Sequence, residues 1–376
     1  MGEKYRATGT ADRSFKSVAM VETGFRVAPI PTVETEISRQ NCKSKFRTRK
    51  NIMARSRWQG RALGLLMAIA PITAPAAWAN TPAAPNSTGS ARSEMTLQTQ
   101  IAPPQITLLE TGQGDRQSLR LRLQQGDQQR SLLVMKSQMQ LTLAGQQPMA
   151  MPVPEMRLLT EITINQVAAD GQVSYTLRYP KIEMIAPPEM SFVQAAMDST
   201  ARELERIQIQ VEGDDRGKLS KVNVLADGEL SAPLQASLGQ MTESIRNSNI
   251  EFPAEPIGVG GRWQSVTEIE SGGLRIQQRA VYQVVEITPD RVVLNVTAEQ
   301  TAPPQKLTIP GIAPEQAPSL RSYQANGSGQ IQMNFNRVVP TQSNLSLKVR
   351  SEMEGLPGVG TALMTGDLEM TLEPQP

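Results

Sequence analysis

The sequence predicts a mainly β protein: two related antiparallel β halves forming a curved sheet or open barrel, with one or two helices packed on it. Three observations predict this. Most of the chain after Gln105 alternates apolar and polar residues with period two, as a strand with one buried face does. Turn signals such as Asp170-Gly171 and Thr288-Pro289-Asp290 interrupt the alternation. Only two stretches carry the helical period instead.

In chain order, Leu119, Leu121 and Leu123 alternate with Arg120, Arg122 and Gln124. Leu133, Met135, Met139, Leu141 and Leu143 share one face, with Lys136, Gln138, Gln140 and Thr142 on the other. Met156, Leu158, Ile162 and Ile164 continue the pattern, and Val173, Tyr175, Leu177 and Tyr179 return after the Asp170-Gly171 turn. The second half begins with Leu274, Ile276, Ala280, Tyr282 and Val284, and Val292, Leu294 and Val296 return after Asp290. Ile331, Met333 and Phe335 follow, then Leu345, Leu347 and Val349, then Leu368, Met370 and Leu372. Laying Val173, Tyr175 and Leu177 over Val292, Leu294 and Val296 suggests a duplicated β unit.

The first helical stretch, Phe192 to Ile207, puts Val193, Met197 and Leu204 on one side. The second, residues 232–247, spaces Leu234, Leu238, Met241 and Ile245 at i, i+4, i+7 and i+11. Ser231 stands where an N-cap belongs, and Pro233 falls in the first turn, where its missing N–H costs nothing. Residues 252–261 are too rich in Pro and Gly for regular structure and read as the crossing between the halves, 105–250 and 251–376.

The leading part of the chain has a different composition. Residues 1–79 hold 14 Lys/Arg and 5 Asp/Glu, a net of +9, whereas the remaining 297 residues carry a net of −7. An acidic body argues against nucleic acid as a partner, because phosphate binding needs clustered positive charge. From Met53, the basic Arg55, Arg57 and Arg61, the apolar run Ala62 to Ala70 and the small-residue end Ala77-Trp78-Ala79 make the tripartite secretory pattern. Residues 53–79 are therefore expected to be a signal peptide cleaved after Ala79. Membrane anchoring needs about 20 apolar residues, and this run is shorter and broken by Pro71 and Pro75. Residues 1–52 read as an upstream extension ahead of the true start, with a cytoplasmic tail or second targeting segment as the alternative. Residues 80–104, rich in Pro, Ala, Ser and Thr, read as a linker. The expected location is outside the cytoplasm, periplasmic or extracellular. The single Cys42 precedes the cleavage point, so the mature chain holds no thiol.

Much of the reaction chemistry is excluded by residue type. With no His in the chain, Ser-His-Asp triads, Cys-His pairs and His-ligated zinc or copper are ruled out. Ser-x-x-Lys and the phosphate-binding G-x-x-x-x-G-K-[ST] loop are absent, and Gly258-Val259-Gly260-Gly261 lacks the third glycine of a dinucleotide fingerprint. Glu212-Gly213-Asp214-Asp215 could hold calcium but lacks the spaced acids of a loop site. Glu203/Glu205 and Glu352/Glu354 could pair as acid and base, and solvated carboxylates at turns and strand edges are the commoner case. Met135, Met139, Met149, Met151 and Met156 crowd 22 residues; thioethers bind Cu(I), while the ordinary use of such methionines is to fill a core. No cofactor is expected, and no catalytic or metal-binding residue is assigned.

Leu121-Arg122-Leu123-Gln124-Gln125-Gly126-Asp127, Gly217-Lys218-Leu219-Ser220-Lys221-Val222, Phe252-Pro253 and Val259-Gly260-Gly261-Arg262-Trp263 resemble, in this order, a bacterial family of secreted β-rich proteins of unknown function. The likeness covers about residues 119–300, and Gln125 stands where that family tends to have Lys. It implies export and β architecture, and carries no catalytic residue. The functional expectation is an uncharacterised, non-catalytic envelope protein. It would hold a lipid or other apolar ligand between sheet and helix, lined by Leu234, Leu238, Met241 and Ile245. The alternative is a structural module that binds an envelope protein partner and no small ligand.

Overall fold

The computed structural model describes residues 103–271, 274–307, 317–356 and 360–376. The upstream extension, the signal peptide, its cleavage after Ala79 and most of the linker lie outside the described residues. In chain order the elements are β1 (Gln105–Glu110), β2 (Gln113–Gln117), β3 (Gln128–Leu143), β4 (Met149–Met151), β5 (Glu155–Val167) and β6 (Gln172–Ile185). Helix α1 (Gln194–Leu204), β7 (Ile207–Asp214), β8 (Leu219–Ala226) and helix α2 (Ala232–Ser248) complete the first half. The second half is β9 (Ile257–Val259), β10 (Arg262–Ser271), β11 (Leu274–Ile287), β12 (Arg291–Ala302), β13 (Gln305–Lys306), β14 (Ser319–Asn334), β15 (Gln342–Leu356) and β16 (Gly360–Gln375).

Fourteen of these strands form one antiparallel sheet in the order β1-β10-β11-β12-β14-β15-β16-β3-β5-β6-β7-β8, with β4 and β13 as side pairings. β3 to β8 and β10 to β16 run as two meanders joined at β16 against β3, in unbroken register from Ala362↔Leu143 to Gln375↔Arg130, while β1 and β2 cross over to pair with β10 and β9. The sheet is not closed, since β1 and β8 end the path. Helix α2 packs on both β8, one edge, and β10, next to the other edge. A single helix can touch both only if the sheet bends until its edges face each other, so α2 fills the gap of an open barrel. Inward positions are apolar, and outward ones read Lys136, Gln138, Gln140 on β3 and Asn295, Thr297, Glu299 on β12. A membrane-spanning barrel turns its apolar face outward instead.

Three local expectations are corrected. Leu119, Leu121 and Leu123 are buried, as their alternation requires, yet residues 118–124 belong to no strand. They run extended across one end of the barrel. The Leu121 N–H bonds the Asp215 carbonyl in the β7–β8 turn, and the Arg122 N–H bonds that of Phe335 after β14. The Arg122 guanidinium meets the Pro289 carbonyl and Asp290 of the β11–β12 turn. Side-chain alternation reports burial; a ladder also needs a neighbouring strand with free backbone groups, and here the neighbours are turns.

The Pro/Gly-rich crossing is likewise more than a surface loop. It contains β9, paired with β2, and it buries Phe252 and Ile257 completely. Phe252 packs edge-on against Trp263 and Phe335 with ring centroids 6.3 and 6.2 Å away, and Trp263 stacks on Tyr282 at 5.1 Å. Finally, the first helix is shorter than its period suggests. A 3₁₀ turn at Pro188–Val193 precedes it, and Ile207 already begins β7. Met197 and Leu204 are buried as expected, together with Ala201. Ser231 does occupy the N-cap of α2 with extended backbone, but its hydroxyl makes no cap bond; its N–H donates to Glu203 Oε2 at 3.0 Å.

Candidate functional site

The inward face of the barrel holds two apolar clusters. The larger includes Trp263, Tyr282, Leu294, Phe335, Met135, Ile209 and the α2 residues Leu234 and Leu238. The smaller gathers Leu274, Ile276, Leu320, Met353, Ala362 and Met364 at the opposite end of the strands. Between them the inward side chains change character. One row of paired residues runs Ser265, Ala280, Ala298, Gly327, Leu347, Leu368 and Ser137 across seven adjacent strands, so four consecutive strands present only small residues.

At this level Leu347 and Ala280 are buried, and other inward apolar residues are half-buried against the two clusters. Leu345, Leu368, Met370 and Met139 point inward by register, yet each remains partly exposed, while the residues of both clusters are buried. Protein interiors are normally packed to crystal-like density. Here the small positions are met by larger neighbours: a Cβ at Gly327 would fall 2.8 Å from Leu347 Cδ1, one at Gly329 2.7 Å from Leu345 Cδ2, and the Met139 side chain lies over Gly366.

A second row runs parallel to the first. Leu108, Trp263, Tyr282, Val296, Gly329, Leu345, Met370, Met135, Met156 and Met184 are successive register partners across ten strands. Its last four members make a methionine wall on β16, β3, β5 and β6. Met184 and Met370 are remote in sequence from the Met135–Met156 group, so only strand order brings the four together. Of the other methionines in the crowded stretch, Met139 and Met151 pair across β3–β4, and Met149 is exposed at the edge.

Three polar side chains on the inward face are linked in a row, apart from Gln129 and Ser131, which bond residues 336–338. Tyr323 Oη donates to Gln300 Oε1 at 2.9 Å, and Gln300 Nε2 donates to Gln278 Oε1 at 2.7 Å. Thr267 is the register partner of Gln278, and Ser351 that of Tyr323. Burial pushes the Tyr323 phenol above its ordinary range, so it stays a neutral donor.

The residues singled out in the sequence are placed as follows. Leu234 and Leu238 are 2% exposed and belong to the packed core under α2, and Met241 and Ile245 lie at its margin. The uncovered inward positions are on the strands, where no helical period could reveal them. The acids at 212–215 are each engaged: Glu212 with Lys221, Asp214 with the N–H groups of Arg216 and Lys218, and Asp215 with Arg120. Glu203 and Glu205 point apart, to the N–H groups of Ser231 and Ile182. Glu352 and Glu354 pair with Arg350 and Arg321 on the outer face. Among the described residues no three acidic side chains converge as a metal site would need.

No protein-family model matches the chain, and no curated protein is similar to it. Among solved structures, Ail, the attachment invasion locus protein of Yersinia pestis, aligns at 8% identity over 67% of this chain and 99% of that one. The TM-score is 0.17, too low to bear on fold or function.

Proposed function

We propose that this protein is an exported, non-catalytic envelope protein whose barrel holds a lipid or other apolar ligand at mid-strand. One observation carries the reading: Leu345, Leu368, Met370 and Met139 face inward and are still partly exposed, between two layers that are buried. A concave, mostly apolar space with a few placed polar groups is the usual form of a small-molecule site. The flexible thioethers of Met370 and Met139, the partly exposed inward methionines, suit chains of differing shape. Export itself rests on the leader pattern at 53–79.

The test is native mass spectrometry of the full-length chain purified from a bacterial host, before and after Ala298→Leu. Ala298 belongs to the small-residue row and is partly exposed, so leucine there should fill the proposed site. Bound lipid is expected in the unsubstituted protein and lost in the variant, with the melting temperature retained. Protein that never carries or takes up an apolar chain, with a variant that melts earlier, would exclude the reading. The alternative, a module for an envelope protein partner, is supported by Phe192. This aromatic is 82% exposed in the 3₁₀ turn before α1.

A further inference from the structure

We infer that the protein docks onto the surface of a neutral lipid bilayer through two nearly uncharged segments that carry Met149, Ile185 and Phe192. The inference is independent of any ligand inside the barrel. The segments are residues 144–154, which run from β3 through β4 to β5, and residues 185–193, which run from β6 to α1. Glu155 is the register partner of Ile185, so the two segments leave the sheet side by side. The first contains no charged residue, and the second contains only Glu189. Met149 is 45% exposed, Ile185 42% and Phe192 82%, and Pro148, Ala150 and Pro188 are exposed with them.

Phe192 is held in this exposed position by its neighbours. Met190 and Met197 on either side of it in the chain are buried. The Gln194 amide grips the end of β6, accepting from the Ala186 N–H at 2.9 Å and donating to the Met184 carbonyl at 2.7 Å. Single exposed apolar residues are ordinary, whereas a group of them around a fixed aromatic marks an interaction surface.

The chemistry of this surface selects lipid as the partner. The charges that border it are matched among themselves: Glu155 pairs with both Lys136 and Arg157, and Lys181 with Glu183. Protein interfaces make about one hydrogen bond per 100–200 Å², and these segments offer little for that. Pro148, Pro152, Pro154, Pro187 and Pro188 have no N–H, so the turns carry fewer unpaired donors into an apolar medium. Apolar and aromatic side chains presented in this way sink into the headgroup boundary of a bilayer. The net charge of −7 on residues 80–376 disfavours an anionic surface, which leaves zwitterionic lipid.

The experiment mixes the chain exported by a bacterial host with phosphatidylcholine vesicles and reads binding by co-sedimentation. Binding is expected at low and high salt alike. Phe192→Ser should weaken it about tenfold, the equivalent of about 1.4 kcal/mol, with the melting temperature unchanged because the ring lies in solvent. Phe192→Trp supplies a local readout, taken as the difference from the parent fluorescence. Its indole emission should move to shorter wavelength on vesicles and be quenched by lipid brominated on the acyl chains. Absence of binding, or binding that Phe192→Ser leaves unchanged, overturns the inference. An indole that brominated chains do not quench overturns it as well, as does a preference for anionic vesicles that salt abolishes. If the indole is already shielded from aqueous acrylamide without vesicles and the protein sediments as a dimer, a second copy covers the patch and lipid docking is excluded.

Discussion

Arg216 Nη2 lies 2.8 Å from Glu251 Oε1, an ion pair that ties the β7–β8 turn to the chain leaving α2. The same guanidinium donates through Nε to the Phe252 carbonyl at 3.1 Å, and the Phe252 N–H returns to the Arg216 carbonyl. Trp263 Nε1 donates to the Glu251 carbonyl from the other side. These contacts hold the inter-half crossing over one end of the barrel and position the aromatic cluster beneath it.

Glu251 gives a pH-dependent prediction. Its carboxyl is 7% exposed, and burial raises its pKa by more than the Arg216 charge lowers it. A raised folded-state pKa means that the folded protein binds the proton more tightly than the unfolded chain. This group's contribution is therefore fully present below the unfolded value of about 4.5 and is lost as pH rises through the folded one. Glu251→Gln, which resembles the neutral acid at every pH, should gain melting temperature relative to the parent between pH 5 and 7. A difference that stays flat, or runs the other way, would show that the ion pair outweighs desolvation.

Phe252→Ala should be among the most damaging single substitutions. The ring is fully buried between Trp263 and Phe335, and removing a buried Phe typically costs about 3–5 kcal/mol. Urea unfolding followed by tryptophan fluorescence would measure it. A loss below about 1 kcal/mol would mean that the crossing is not part of the cooperative core.

Leu238→Trp and Ala298→Leu both add bulk to the inside and should differ in outcome. Leu238 is in packed core, so tryptophan there is expected to cost about 1–3 kcal/mol, the usual effect of overpacking. Ala298 is a partly exposed member of the small-residue row and should accept leucine with little change in thermal melting. Equal destabilisation by the two would indicate that the mid-strand layer is filled.

Maturation is checked by intact mass. Expressed from Met53 in a bacterial host, exported protein should begin at Asn80, after the Ala77-Trp78-Ala79 site. A chain that keeps residues 53–79 would refute the signal-peptide reading.

Much of the strand content was legible because a half-buried sheet imposes period two on the residues that build it. Hairpins such as β5–β6 and β11–β12 follow from their turn pairs, and the inward residues named on them, Tyr175 and Leu294 among them, are buried. The candidate site was less legible. Leu234 and Leu238 announced an apolar helix face, but a helical period cannot say whether that face meets core or ligand. Alternation likewise marked Ala280 and Met370 as inward without indicating that Ala280 would continue into Ala298 and Gly327.

By itself the sequence determined a β-rich body, the inward side of most strands and the absence of any His-based chemistry. Each follows from a local property: residue type, or a spacing read within ten residues or so. Tertiary structure alone decided that β16 joins β3, which sets Met370 and Met135 beside Met156 and Met184. It also decided that Ser265, Ala280, Ala298 and Gly327 share a level, and that Gln278 ends a relay begun at Tyr323. Strand order and register depend on pairings between residues far apart in the chain, and no local periodicity encodes them.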